Sequence, residues 1–221
     1  MVVMGDYINN VLRYSIKHYS YNRYSYYAII LGTFGVPLLF GYASHSVATA
    51  AMMAGAILLF DMLFILHLST RDMRSKSTFV MENTLPLSSA ERYTFIMVNS
   101  MVMATLLFAI CFIPAVAIIM QIYPPLATEA FDIGDLFVDY RPIVELLALH
   151  AVLLIVNITA RARVVMNYII ALCLMIIGEL LIEKFIPSEH INEAEMWINA
   201  TIAIVCWVLG YFLLRYREIK L

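Results

Sequence analysis

The sequence predicts an all-α polytopic membrane protein: six transmembrane helices preceded by an amphipathic N-terminal helix at the membrane interface. Three observations predict it. Of 221 residues, 63% are hydrophobic and only 14% are charged, against about 25% charged in an average soluble chain, and mean hydropathy is +0.85. The apolar residues fall into blocks close to the ~20 residues that cross a hydrocarbon core of about 30 Å. The few charges are sorted by sign along the chain. A formal charge of -2 supplies no basic field, so no nucleic-acid partner is expected. Cys111, Cys173 and Cys206 all sit inside apolar blocks, which predicts neither a disulfide framework nor a metal site.

The elements follow in chain order. Residues 1–25 form a cytoplasmic interfacial arm, and 26–221 form the six-span transmembrane domain. The arm is dense in tyrosine, and at helical spacing Tyr7, Val11, Tyr14, His18 and Tyr21 share one face, with Asp6, Arg13 and Lys17 elsewhere. That pattern suits a helix lying flat at the interface. Aromatic belts beside a span are the ordinary pattern, so binding of single-stranded nucleic acid by this basic-aromatic stretch is set aside. The arm lacks an apolar core and a small-residue cleavage site, so no signal peptide is expected. The spans are read at 26–43, 47–68, 93–120, 143–160, 164–186 and 197–214, each bounded by charges or prolines.

Orientation follows from the cations. Of the 14 Lys and Arg residues, all but Arg141 and Lys184 fall on the side of the arm, the 69–92 segment, the turn at Arg161 and Arg163, and the tail. The opposite side collects Glu129, Asp132, Asp135, Asp139, Glu183, Glu189, Glu193 and Glu195. An even number of spans in the cell (inner or cytoplasmic) membrane, with both termini cytoplasmic, respects this split.

Two polar segments stand out. In the cytoplasmic segment 69–92, a short helical stretch before Asn83 is broken by Leu85-Pro86-Leu87. Ser88 then stands as an N-cap with Glu91 three residues on, a capping box that opens the third span. Met81, Leu85 and Leu87 form an apolar knob among charges, suited to a protein partner; the alternative is a well-capped loop with none. The outer acidic loop 123–142 places Glu129, Asp132, Asp135 and Asp139 on one helical face. It reads as an interfacial helix with its acids in water, since a calcium loop needs alternating ligands and a turn glycine.

With Leu85-Pro86-Leu87-Ser88 followed by Glu91, six spans, inner termini and an amphipathic N-terminal helix, the chain resembles the membrane subunit of type-2 ABC exporters. The resemblance implies that Met81, Glu82, Leu85, Pro86, Leu87, Ser88 and Glu91 dock a separate ATPase. It also implies a homo- or heterodimer of permease chains whose pathway is lined by the first, second and fifth spans. Where the family carries outer re-entrant helices, between spans five and six, this chain offers only residues 187–196.

Ionisable groups inside a membrane are costly and hence functional candidates. With the second span ending near residue 68, Asp61 lies roughly 10 Å inside at 1.5 Å per residue. His150 lies near mid-depth in the fourth span, and Asn157 one turn before Arg161; Glu145 and Glu179 can snorkel outward. Asp61 and His150 as a pair suit a proton relay or a polar substrate contact, whereas Asp61 alone suits interhelical glue. Gly32, Gly35 and Pro37 in the first span and Pro114 in the third read as close-packing and kink sites. The 14 methionines read as adaptable packing.

No Gly-x-x-x-x-Gly-Lys-[Ser/Thr] loop is present, and no cytoplasmic segment could fold a nucleotide-binding domain, so ATP hydrolysis is assigned to a partner. No Gly-x-Ser-x-Gly, no His-Glu-x-x-His and no clustered histidines support a membrane enzyme, and no cofactor is expected. The leading expectation is a permease; the alternative is a non-transporting scaffold or regulatory subunit of a membrane complex. No motif selects a substrate.

Overall fold

The computed structural model describes residues 4–71, 87–123, 141–159, 164–186 and 191–219. These residues are helical almost throughout. In chain order the helices are α1 (Met4–Tyr21), α2 (Arg23–Ser44), α3 (Val47–Met52), α4 (Ala54–Arg71), α5 (Ser89–Met97), a π-helical turn (Val98–Met103), α6 (Ala104–Ile122), α7 (Arg141–Thr159), α8 (Val164–Phe185) and α9 (Ile191–Ile219). Five stretches among the described residues are long and apolar enough to cross a membrane: Arg23–Ser44, Val47–Arg71, Ser89–Ile122, Arg141–Thr159 and Ile191–Tyr216. The remaining expected span corresponds to α8, whose apolar stretch is the shorter Met166–Gly178. Ile110, Leu174, Leu39 and Ile204, among many others, are more than half exposed. So much apolar surface is untenable in water and ordinary against lipid.

The chain divides into two compact units, Met1–Ser69 with Thr94–Val138, and Thr70–Tyr93 with Asp139–Leu221. In the first, α2 closes with a Schellman motif. His45 takes the left-handed conformation (φ 51°), its N–H reaching Tyr42 O at 3.3 Å, while Ser46 N–H reaches Gly41 O at 3.2 Å. The Ser46 hydroxyl then accepts from Thr49 N–H at 3.4 Å and starts α3. A tight reversal follows directly from these caps. Val47, Ala50, Ala54 and Ile57 pack on Phe108, Phe112, Val116 and Ile119, with the two phenyl rings stacked 4.6 Å apart.

At Gly41, α2 approaches its neighbours closely. A Cβ there would meet Ile119 Cγ1 and Cγ2 at 3.0 Å and Ala50 Cβ at 3.1 Å, whereas one on Gly32 or Gly35 would meet nothing within 4 Å. The close-packing role expected of Gly32 and Gly35 therefore belongs to Gly41. The reason is helical phase: Thr33, Pro37 and Gly41 recur on the buried face at steps of four, and Gly32 and Gly35 lie off it. Pro37 sits within α2 without ending it, as Pro114 does within α6.

The arm also differs from expectation in which face it uses. Tyr14 and His18 are buried, packed edge-on against Phe95 with ring centroids 4.7 and 5.1 Å away, while Tyr21 is 72% exposed. The aromatic face expected to lie along the interface is thus turned onto the third span, and α1 instead exposes Ile8, Leu12 and Ile16. Tyrosine hydroxyls have polar partners on the inner side, which decides the rotation.

In the second unit α7 packs along α9 through small residues, Ala148, Ala151 and Ala203, the means by which helices approach closely where lipid removes the hydrophobic drive to associate. Further along the same contact, Gly210 lies against Leu154, and the Tyr93 hydroxyl donates to Trp207 O at 2.6 Å.

Gly41→Ala should lower stability by about 1–3 kcal/mol through overpacking, while Gly32→Ala and Gly35→Ala stay within about 0.5 kcal/mol of the parent. Thermal unfolding in detergent checks the contrast; equal effects at all three positions would refute the assigned packing face.

Candidate functional site

A single amide organises the first unit. The third span widens into a π-helical turn at Val98–Met103, and Asn99 and Ser100 within it are buried. Such turns are rare and recur at functional sites. The Ser100 hydroxyl donates to Ile96 O at 2.7 Å and Thr105 to Met101 O at 2.8 Å, so hydroxyls brace the irregular backbone on both sides. Asn99 Nδ2 donates to the Tyr26 hydroxyl at 2.9 Å and to Ser69 Oγ at 2.7 Å, and Asn99 Oδ1 accepts from the Tyr19 hydroxyl at 2.6 Å. The Ser69 hydroxyl itself donates to Ile65 O at 2.8 Å. One side chain on the third span thereby ties α1, α2 and α4. Tyr7 and Thr94 share a further bond at 2.6 Å, nearer the start of both helices.

Burial pushes the Tyr19 phenol up to about 12 from its ordinary 10. The group keeps its proton, and so its role as donor, well past the range where an exposed tyrosine ionises.

Asp61 lies on α4, buried, and both its oxygens accept from the Thr33 hydroxyl, at 2.9 and 2.8 Å. This α2–α4 bond satisfies the interhelical role expected of Asp61. The pair also borders a cleft of about 410 Å3 with Gly32, Val36, Phe60 and Phe64. A carboxyl and a hydroxyl on an otherwise apolar wall can hold a proton or orient one polar group of an amphipathic molecule.

His150 belongs to the second unit, fully buried on α7. Asn157, two turns further along that helix, is a second amide node. Its Nδ2 donates to Leu153 O at 2.8 Å and to the Tyr168 hydroxyl, and its Oδ1 accepts from Thr70 at 3.1 Å. It therefore joins α7, α8 and the end of α4. The same unit holds a cleft of about 510 Å3, mostly apolar, whose lining includes Thr159, Asn167 and Asn199.

Of the expected docking residues, Met81, Glu82, Leu85 and Pro86 lie outside the described residues, as does the acidic helix expected at 129–139. Leu87 is half-buried, Ser88 exposed and Glu91 buried. The capping box is formed: Ser88 N–H and Oγ both donate to Glu91 Oε2, at 2.7 and 2.9 Å, and Ser88 Oγ lies 3.3 Å from the Glu91 N–H. Among the described residues no three His, Cys, Asp or Glu side chains gather as metal ligands.

Sequence reasoning does not single out Asn99, Tyr19 and Tyr26 as a group. The available signal is a lone amide in an apolar run, with a tyrosine-rich arm to supply partners. Comparison of the chain with family models, with curated proteins and with solved structures finds no match in any of the three.

Asn99→Leu should cost about 2 kcal/mol, from three bonds at ~0.6 kcal/mol each in membrane proteins, and should expose the arm to protease. Unchanged thermal stability and cleavage would refute the node. Tyr19 carries a sign-definite pH effect. Its folded pKa lies above the unfolded value, so between pH 10 and 12 the unfolded chain ionises first and stability falls as pH rises through that window. Tyr19→Phe should flatten this alkaline loss, read as thermal midpoint against pH.

Proposed function

We propose that the chain is the membrane-spanning permease subunit of an ATP-driven exporter, energised by a separate ATPase that docks on the segment 69–92. In this reading α8 is the fifth of six spans, both termini face the cytoplasm, and α1 lies at the cytoplasmic surface of the cell membrane. A second permease chain covers part of the apolar surface that α8 exposes at Ile169, Leu174, Ile177 and Leu181.

The observation that carries the reading is the Ser88–Glu91 box. It fixes the first turn of a helical stretch that runs Ser89–Ile122 and bears Asn99. A force applied to Leu85-Pro86-Leu87 by a docked ATPase meets a rigidly capped helix start and not a frayed one, so it is transmitted along the helix axis. The amide node then lies on the moving element. The Thr33–Asp61 cleft, between the first two spans, supports a polar contact for an exported amphipathic substrate.

The second reading, a non-transporting scaffold or regulatory subunit, is favoured by one observation. Helix α8 ends at Phe185 and α9 starts at Ile191, leaving little chain for an outer gate of the kind the resemblance implies.

Purified alone, the protein should hydrolyse no ATP. From native membranes it should co-purify with a soluble ATPase, and Pro86→Ala with Glu82→Ala should cut that recovery at least about tenfold, whereas Glu145→Ala leaves it unchanged. Retention of the ATPase by the double variant would sink the docking assignment. Docking that persists without any effect of Asp61→Asn on export would favour the scaffold.

A further inference from the structure

A cleft with its own chemistry lies beside the break between α1 and α2. Asn22 interrupts the helix there, its N–H still reaching His18 O at 2.9 Å, so that the two helices meet almost end to end. The cleft, of about 680 Å3, takes Arg13, Lys17, Ser20, Tyr21, Arg23 and Tyr24 into its lining. Three cations therefore line one space together with a serine and two tyrosines, and Ile16 completes its wall. Asp6 is the one acid within residues 4–60, and it lies two turns before Arg13. None of the three cations has a carboxylate within ion-pair distance among the described residues. Arg23 is held in place: its guanidinium lies 4.9 Å from the Tyr24 ring centre and donates to the Tyr24 hydroxyl at 3.1 Å. A concentration of positive charge with hydroxyl-bearing side chains beside it is the chemistry of a phosphate site.

The surroundings select the source of the phosphate. Ile8, Leu12 and Ile16 form an exposed stripe at steps of four, and Arg13 and Lys17 each follow a member of that stripe by one residue. Apolar and cationic stripes side by side on one outward face match the boundary between acyl chains and headgroups. We propose that the α1–α2 cleft binds the phosphodiester of an anionic lipid headgroup, with Arg13, Lys17 and Arg23 as its ligands and Ile8, Leu12 and Ile16 against the acyl chains. The site is independent of the permease reading and requires only that the arm meet a bilayer surface.

Full-length protein in detergent is titrated with phosphatidylglycerol, with phosphatidylcholine of the same acyl chains, and with inorganic phosphate, and bound species are counted by native mass spectrometry. Phosphatidylglycerol should bind more tightly than phosphatidylcholine. At ~1 kcal/mol per cation, each cation removed should weaken it about fivefold, and Arg13→Gln with Lys17→Gln and Arg23→Gln together roughly 100-fold. Raising the salt concentration should weaken it as well. Should the triple variant lose its thermal transition, Lys17→Gln alone carries the test through its fivefold effect. Equal binding of the two lipids, or unchanged phosphatidylglycerol binding in a folded variant, overturns the proposal. Binding of inorganic phosphate with the same dependence on the three cations, without preference for the anionic lipid, overturns the headgroup as its source.

Discussion

The first unit depends on one constraint: a polar group buried in an apolar span must find every partner it needs inside the protein. Asn99 meets it with an uncharged side chain carrying two donors and an acceptor. Its three partners come from three other helices, at Tyr19, Tyr26 and Ser69. A Leu at that depth would pack against any helix in several rotations. An amide fixes one, because each competing rotation strands a donor or a hydroxyl. The π turn belongs to the same solution, since the extra residue in the turn brings Asn99 and Ser100 to the buried side together.

The second unit repeats the principle with different partners. Asn157 joins its own helix at Leu153 to Thr70 and Tyr168, and Ala148, Ala151 and Ala203 supply the closeness that van der Waals packing requires. In both units the polar contact is neutral, which avoids the larger desolvation cost of a charge. Among the described residues, Asp61 brings a carboxyl into the first two spans, and its cleft has room for something else. That difference separates glue from candidate site more sharply than depth in the membrane does.

The long apolar helices were legible because a crossing helix needs length and apolarity, and both are local properties. The Ser88–Glu91 box was legible for the same reason, its two residues being three apart. Gly41 was not, because helical phase between Thr33, Pro37 and Gly41 matters only once the buried face of α2 is known. The Asn99 node was harder still. Its bonds to Tyr26 and Tyr19 cross 73 and 80 residues of sequence, and no periodicity in the chain records such a distance. Tyr19 and Tyr26 also carry a general explanation as interfacial aromatics, which conceals a specific one. Asp61 was legible as an unusual residue, and its partner Thr33, 28 residues away, was not.

The rotation of α1 shows how these constraints act in combination. Taken alone, the arm presents an aromatic face and an aliphatic stripe of comparable appeal to a bilayer surface. Tyr7 and Tyr19 each hold a hydroxyl bond to the third span, while Tyr14 and His18 press on Phe95 between them. Each contact is modest, about 0.5–1.5 kcal/mol for an aromatic pair, yet they recur over the length of one 18-residue helix and all demand the same rotation. The isoleucines make no such demand, because lipid or detergent satisfies them in any orientation. Directional contacts therefore choose the inner face, and non-directional ones accept what remains. That leaves Ile8, Leu12 and Ile16 outward beside Arg13 and Lys17, an arrangement fixed from inside the protein by hydroxyl groups that never touch the surface it presents.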